Sequence, residues 1–225
     1  MKHILTTIFS FFIFAGVFAQ TQSDFYFKKP LPDKCQPITK IHSSFFGEWQ
    51  STKDTLRSFI ISENKIISQY KHLMIIPKKD FTRLGYTLKD DFVYGFSDTD
   101  SIPGTMKDDT VIFCYINDHL LVDLTVESDD VFLSSLGGGL VLSRKADSLY
   151  TYSFISVKDD KLLISDTDHD PVLNEIKKLF SPEEIKNEDK ETVLYLADPD
   201  KKKMEKFILS GFFNQIQNCK RIGNL

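Results

Sequence analysis

The chain has 225 residues, 41% of them hydrophobic and 27% charged, with a formal net charge of −4. That balance belongs to a folded globular protein rather than a disordered one. The shortage of Lys and Arg argues against nucleic acid as a partner, because phosphate binding needs a basic surplus. Beyond the first 19 residues, no segment is long and apolar enough to span a bilayer.

The chain starts Met1-Lys2-His3, followed by a largely apolar stretch from Ile4 to Phe14 and then by Ala15, Gly16, Val17, Phe18 and Ala19. A short basic start, an apolar run and small side chains before a cut are the parts of a secretory signal peptide. Residues 1–19 are therefore expected to be removed before Gln20, with the mature protein secreted or periplasmic. The apolar run is too short for a membrane anchor. Cleavage would leave 206 residues, and loss of Lys2 takes the charge to −5. The Lys-, Ile-, Phe- and Asp-rich usage is similar to that of bacterial sequences.

Residues 20–40 are polar, carry Pro30, Pro32 and Pro37, and read as an extended N-terminal segment. From residue 41 to 225 a single β-rich domain is expected, with a helical part from about 170. Short apolar blocks between turn residues predict strands at Arg57–Ser62, Lys65–Tyr70, His72–Ile76 and Asp91–Phe96. Glu63-Asn64 reads as the turn between the first two. Val111–Ile116 and His119–Val126 flank Asn117-Asp118, which reads as another turn. Alternation in the second of these points Leu120, Val122, Leu124 and Val126 inward. Val131–Leu133, Leu140–Arg144, Ser148–Val157 and Lys161–Ile164 follow. This is a mainly β pattern, an antiparallel meander barrel or sandwich with C-terminal helices.

In the last quarter, Asp170-Pro171 and Ser181-Pro182-Glu183-Glu184 read as helix starts. Thr192–Ala197 reads as a strand. Asp198-Pro199 caps a helix whose Met204, Phe207, Ile208, Gly211 and Phe212 share one apolar face. Lys89-Asp-Asp and Lys158-Asp-Asp are each followed by Ser-Asp-Thr-Asp, an echo that an Asp-rich chain produces by chance.

Three cysteines stand at 35, 114 and 219. Cys114 lies in the run from Val111 to Ile116 and is expected as a small buried hydrophobe. Cys35 and Cys219 flank the folded region and are expected to pair, since export permits a disulfide. Asp166-Thr-Asp-His-Asp170 has the alternate carboxylates of a calcium loop. Pro171 and Lys177, however, occupy the positions where such a loop needs Gly and Glu. The segment fits a strand end and helix cap better, and Asp98-Thr-Asp100 is weaker still. His3, His42, His72, His119 and His169 have no zinc spacing. Ser62/Lys65 and Ser68/Lys71 match a Ser-x-x-Lys pattern, but an offset of three on a strand faces them to opposite sides. Gly137-Gly-Gly139 precedes a strand, not a helix, and lacks the Lys-Ser/Thr of a phosphate loop. No catalytic residue, cofactor or metal is assigned, and a hydrolase ranks last.

Ser44-Phe-Phe-Gly-Glu-Trp49 opens the β region, and its Gly47-x-Trp49 resembles the hallmark of the lipocalins. In that family the Trp closes the base of an eight-stranded barrel. A helix and a short strand follow the barrel, and a disulfide often secures the tail. The order of elements here is similar. The family packs an arginine from the end of the barrel over the Trp. Here Arg144 is the last arginine before the tail, and Arg221 lies at the very end. The family's Thr-Asp-Tyr motif is absent, and the helix after Pro199 is an addition to its minimal plan. The resemblance implies a secreted or periplasmic binding protein with a β cavity for a small apolar or amphipathic ligand. The aromatic faces Phe92/Tyr94/Phe96 and Tyr150/Tyr152/Phe154 fit that use. The alternative is a cell-envelope protein-interaction or structural module without a small ligand, marked by a packed interior and an exposed apolar patch.

Overall fold

The structure is a computed structural model that describes residues 25–96, 101–166, 177–186, 193–209 and 214–223. The segment expected to be a signal peptide, the expected Asp170-Pro171 helix start, Asp98-Thr-Asp100 and His169 lie outside them. In chain order, β1 (Phe25–Phe27) falls within the segment read as extended, and all three of its side chains are buried. A 3₁₀ turn (Ser43–Phe45) leads into β2 (Gly47–Ser51), in which buried and half-buried residues alternate. β3 (Arg57–Ile61) and β4 (Lys65–Pro77) form the expected hairpin. Its Ser62 N–H donates to the Lys65 carbonyl at 2.9 Å. Then come α1 (Lys78–Arg83), β5 (Thr87–Lys89), β6 (Phe92–Tyr94), β7 (Ile102–Lys107) and β8 (Thr110–Asp123). The meander β9 (Val131–Leu136), β10 (Gly139–Ala146), β11 (Leu149–Lys158) and β12 (Lys161–Asp166) follows. β13 (Glu183–Lys186), β14 (Val193–Ala197), α2 (Lys201–Leu209) and β15 (Asn214–Gly223) complete the described chain.

The contacts divide the chain into two compact units. One comprises Met1–Gln36, Asp129–Phe154 and Ser165–Asn214. The other comprises Pro37–Ser128, Ile155–Ile164 and Gln215–Leu225. In the first unit, β1 runs parallel to β14 and antiparallel to β11, while β10 pairs with β9 and β11. Its core gathers Phe25, Phe27, Tyr152, Phe180, Met204 and Phe207. The rings of Phe27 and Tyr152 stack at 4.1 Å, and the Tyr152 hydroxyl donates to the Lys29 carbonyl at 2.8 Å. That bond gives the buried phenol a partner, and burial raises its pKa. In the second unit the strand path is β12-β15-β2-β3-β4-β8-β7-β6-β5, and it does not close on itself.

Four local readings differ from the structure. Asn117-Asp118 makes no turn: β8 runs straight through, with Asn117 opposite Tyr70 and Asp118 opposite Gln69. The long partner strand β4 supplies a continuous ladder, and Gln69 Nε2 donates to Asp118 Oδ1 at 2.8 Å. A bulge at Leu121 of β8, opposite Ile66 and Ile67, then shifts the parity of β8, so Val122 is buried while Leu120 is exposed. Ser181-Pro182 opens the strand β13 rather than a helix, because Glu183–Lys186 pair with β14. The cap of α2 is Asp200, two residues later than expected, with its Oδ1 accepting from the Lys203 N–H at 2.9 Å.

The Lys-Asp-Asp echo marks turns. Asp90/Asp91, Asp108/Asp109 and Asp159/Asp160 all have positive φ, at 51°/61°, 47°/59° and 50°/54°. Two-residue hairpins need both central residues there, because that geometry matches the strand twist. Asp tolerates the region better than most residues but still carries a Cβ cost that Gly lacks. The substitution Asp109→Gly is expected to raise unfolding stability by about 0.5 kcal/mol, read as a higher urea midpoint. A lower midpoint would mean that the Asp side chain contributes more than its strain costs.

Candidate functional site

The site is built on one face of the second unit's sheet. Directly opposed residues of an antiparallel pair share a face. The register places Arg221 opposite Trp49, Trp49 opposite Phe59, Phe59 opposite Ser68 and Ser68 opposite His119. Along β4 and β8 the same face carries Tyr70, His72 opposite Tyr115, Met74 opposite Phe113, and Ile76 opposite Val111.

The base of this face is a clasp. The Arg221 guanidinium carbon sits 4.2 Å from the centre of the Trp49 ring. Its Nη1 donates to the Phe46 carbonyl, Nη2 to the Ser44 carbonyl at 3.2 Å and Nε to Asp160 Oδ1 at 3.1 Å. Trp49 Nε1 donates to the Phe45 carbonyl at 2.9 Å, which satisfies the one polar atom of a fully buried side chain. His42 caps the same 3₁₀ turn by accepting from the Ser44 N–H at 3.2 Å. Gly47 is needed twice over. Its φ is +133°, and a Cβ there would meet the Gly223 carbonyl oxygen at 2.7 Å and Arg221 Nη1 at 3.3 Å. The Gly47-x-Trp49 pair singled out in the sequence is thus one piece of local machinery: Gly47 leaves room for the arginine, and Trp49 receives it.

Above the clasp lies a row of half-open rings. Tyr70 and His72 are 4.7 Å apart, His72 and Tyr115 are 6.1 Å apart, and Phe96 meets Tyr115 at 5.3 Å. Beyond them the face is filled by a small core of Phe81, Val93, Val111 and Phe113. The Tyr70 end of the row, beside the exposed Asn117 and His119, is where the face is least covered. It offers aromatic surface with hydroxyl and imidazole groups at the edge, which suits a ligand with an apolar body and a polar margin. Among the described residues no group of three or more His, Cys, Asp or Glu could hold a metal ion.

Cys35, Cys114 and Cys219 are free thiols in the structure, where the sequence reading expects a Cys35–Cys219 pair. Cys219 is fully buried opposite Ser51, and burial pushes its pKa up to about 11. That keeps it protonated and unreactive at neutral pH. Partial burial also raises Cys35. Cys114 is exposed rather than buried, because Phe113 takes the inward position and strand alternation turns Cys114 outward. Ser68 and Lys71 face opposite sides, as their spacing requires. Gly137 and Gly138 form a hairpin turn with φ of 59° and 79°. Sequence reasoning missed the partnership of Arg221 with Trp49 and the ring row. The only signal for the first was the arginine the resemblance called for.

Asp123, at the end of β8, accepts from Thr125 Oγ1 at 2.6 Å, from the Thr125 N–H at 3.0 Å and from Lys65 Nζ at 2.9 Å. These bonds, the Thr125 hydroxyl first, hold its pKa at about 2. Compared with known proteins, the chain matches no family model, no curated protein and no solved structure.

Two outcomes are expected. Arg221→Ala removes the ring contact and leaves the Ser44 and Phe46 carbonyls without their donor, which costs about 2–3 kcal/mol in urea unfolding. Arg221→Lys restores only part of this, since one ammonium cannot span the same acceptors. An Arg221→Ala protein as stable as the parent would remove the clasp from the account. The second outcome concerns acid. The stability that Asp123 contributes is complete above its unfolded value near 4 and is lost as pH falls through about 2. A side-chain NMR titration placing its midpoint near 4 would contradict the bonding described.

Proposed function

We propose that the protein is an exported binding protein of lipocalin-like build, secreted or periplasmic after removal of residues 1–19. It holds a small apolar or amphipathic ligand in a β cavity over the Trp49 face. The observation that carries this reading is Arg221 packed over Trp49 and tied to the carbonyls of the preceding 3₁₀ turn. It is the arrangement the Gly-x-Trp resemblance called for, and it comes from a strand far from Trp49 in the chain. The half-open row Tyr70, His72 and Tyr115 on the same face is where the ligand body lies. A second reading, an envelope interaction module without a small ligand, draws support from exposed apolar residues on the opposite face of β4 and β8, among them Leu73 and Ile75.

Native mass spectrometry of the protein purified gently from its own host tests both the leader and the ligand. The expected spectrum starts at Gln20 and carries an added mass that is lost on denaturation. With that molecule identified, Tyr115→Ala is expected to weaken its binding about tenfold, followed through Trp49, the chain's only tryptophan. A clean apo mass under the same conditions would overturn the cavity reading and favour the interaction module.

A further inference from the structure

The β4–β8 ribbon has a second face, and nothing in the binding proposal uses it. Residues directly opposed across the ladder again define it. Leu73 lies opposite Cys114, Ile75 opposite Ile112, and Lys71 opposite Ile116. The face continues through Thr105, opposite Ile112, and through Pro103, opposite Phe92. Leu73 is 57% exposed, Ile75 61%, Ile116 47% and Phe92 39%. Cys114 is exposed as well. Strand side chains that are branched, apolar and aligned in this way normally form the inner face of a β-sandwich, with a second sheet about 10 Å away. Here they face solvent.

We infer that this face is the docking surface for a second copy of the chain, two sheets packing face to face about a two-fold axis. Three features favour a copy over other occupants. First, the apolar side chains expose on the order of 500 Å², the upper end of what a monomer displays. With their polar margin, they approach the roughly 800 Å² per partner of a stable interface. Second, the margin carries both signs: by register Lys71, Lys89 and Lys107 share this face with Asp118, and Asp91 and Asp109 stand in the hairpin turns at its edge. A two-fold brings the same margin against itself, so a mixed margin can complement its own copy, while an anionic membrane or a polyanion calls for a single sign. Third, the apolar residues sit on a regular ladder of two long strands, a rigid surface whose docking orders few side chains and so loses little entropy. The inference does not depend on a ligand bound to the Trp49 face.

The test is light-scattering mass across a concentration series of the mature chain under reducing conditions. Cross-linking with a short bismaleimide accompanies it, with Cys114 as the reporter. The expected result is a dimer mass, a Cys114–Cys114 cross-link, and a rise of about 100-fold in the dissociation constant for Ile75→Lys. Ile75 is exposed, so this variant is expected to keep the parent's circular dichroism and Trp49 emission. Leu73→Lys provides a second disruption should Ile75→Lys fail to fold. A monomer at every concentration with no cross-link overturns the inference. So does a dimer that survives both substitutions, or a monomer that binds vesicles of anionic lipid through this face. None of these results bears on the added mass that tests the ligand.

Discussion

The placement of one guanidinium organises the second unit. Arg221 occupies the space that the missing side chain of Gly47 leaves open, lies against the indole of Trp49, and donates to two carbonyls and a carboxylate. A buried or half-buried cation is costly unless its donors are met, and here protein oxygens meet Nε, Nη1 and Nη2. The same contacts fix the entry of β2, because the 3₁₀ turn before it must present the carbonyls of Ser44 and Phe46 toward the arginine. Trp49 then sets which face of β2 is interior. The ladder transmits that choice to β3, β4 and β8, since a one-residue slip would turn every side chain over. The ring row above the clasp exists only because this parity holds along thirteen residues of β4.

The β4–β8 ribbon is consequently two-sided in a way few strands are. Toward Trp49 it carries aromatic and polar rings. On its reverse it carries aliphatic side chains and a cysteine. At its far end α1 and β5–β7 cover only the first of these faces, with Phe81, Val93 and Phe96 packed onto Val111 and Phe113. Among the described residues of the unit, no element crosses the reverse face, and Leu73, Ile75 and Ile116 stay exposed.

What could be read from the sequence was local. The β3–β4 hairpin, the meander β9–β12, the strand β14 and the apolar face of α2 all follow from residue spacing, because in each the partner is near in the chain or the face is self-evident. Gly47 and Trp49 stood out through resemblance. The errors came where tertiary pairing outweighed local preference. Asn117 and Asp118 have turn chemistry but are held extended by β4, and Ser181-Pro182 has cap chemistry but leads into a strand paired with β14. Cys114 looked buried because a run of apolar neighbours hides which parity faces inward. Arg221 could not be placed at all, since no local pattern links it to a tryptophan some 170 positions earlier, and β15 itself is too polar to read as a strand.

The distance in sequence between β2 and β15 also shapes the order of assembly. Hairpins closed by two-residue turns such as Asp108-Asp109 can form within microseconds of their residues meeting, whereas joining β15 to β2 must close a loop of most of the chain. During synthesis the Trp49 face therefore remains without its cover until residues near 221 are available. This late closure works as a timer: the half-built sheet stays loose until the last strand arrives, and only then does the lock engage.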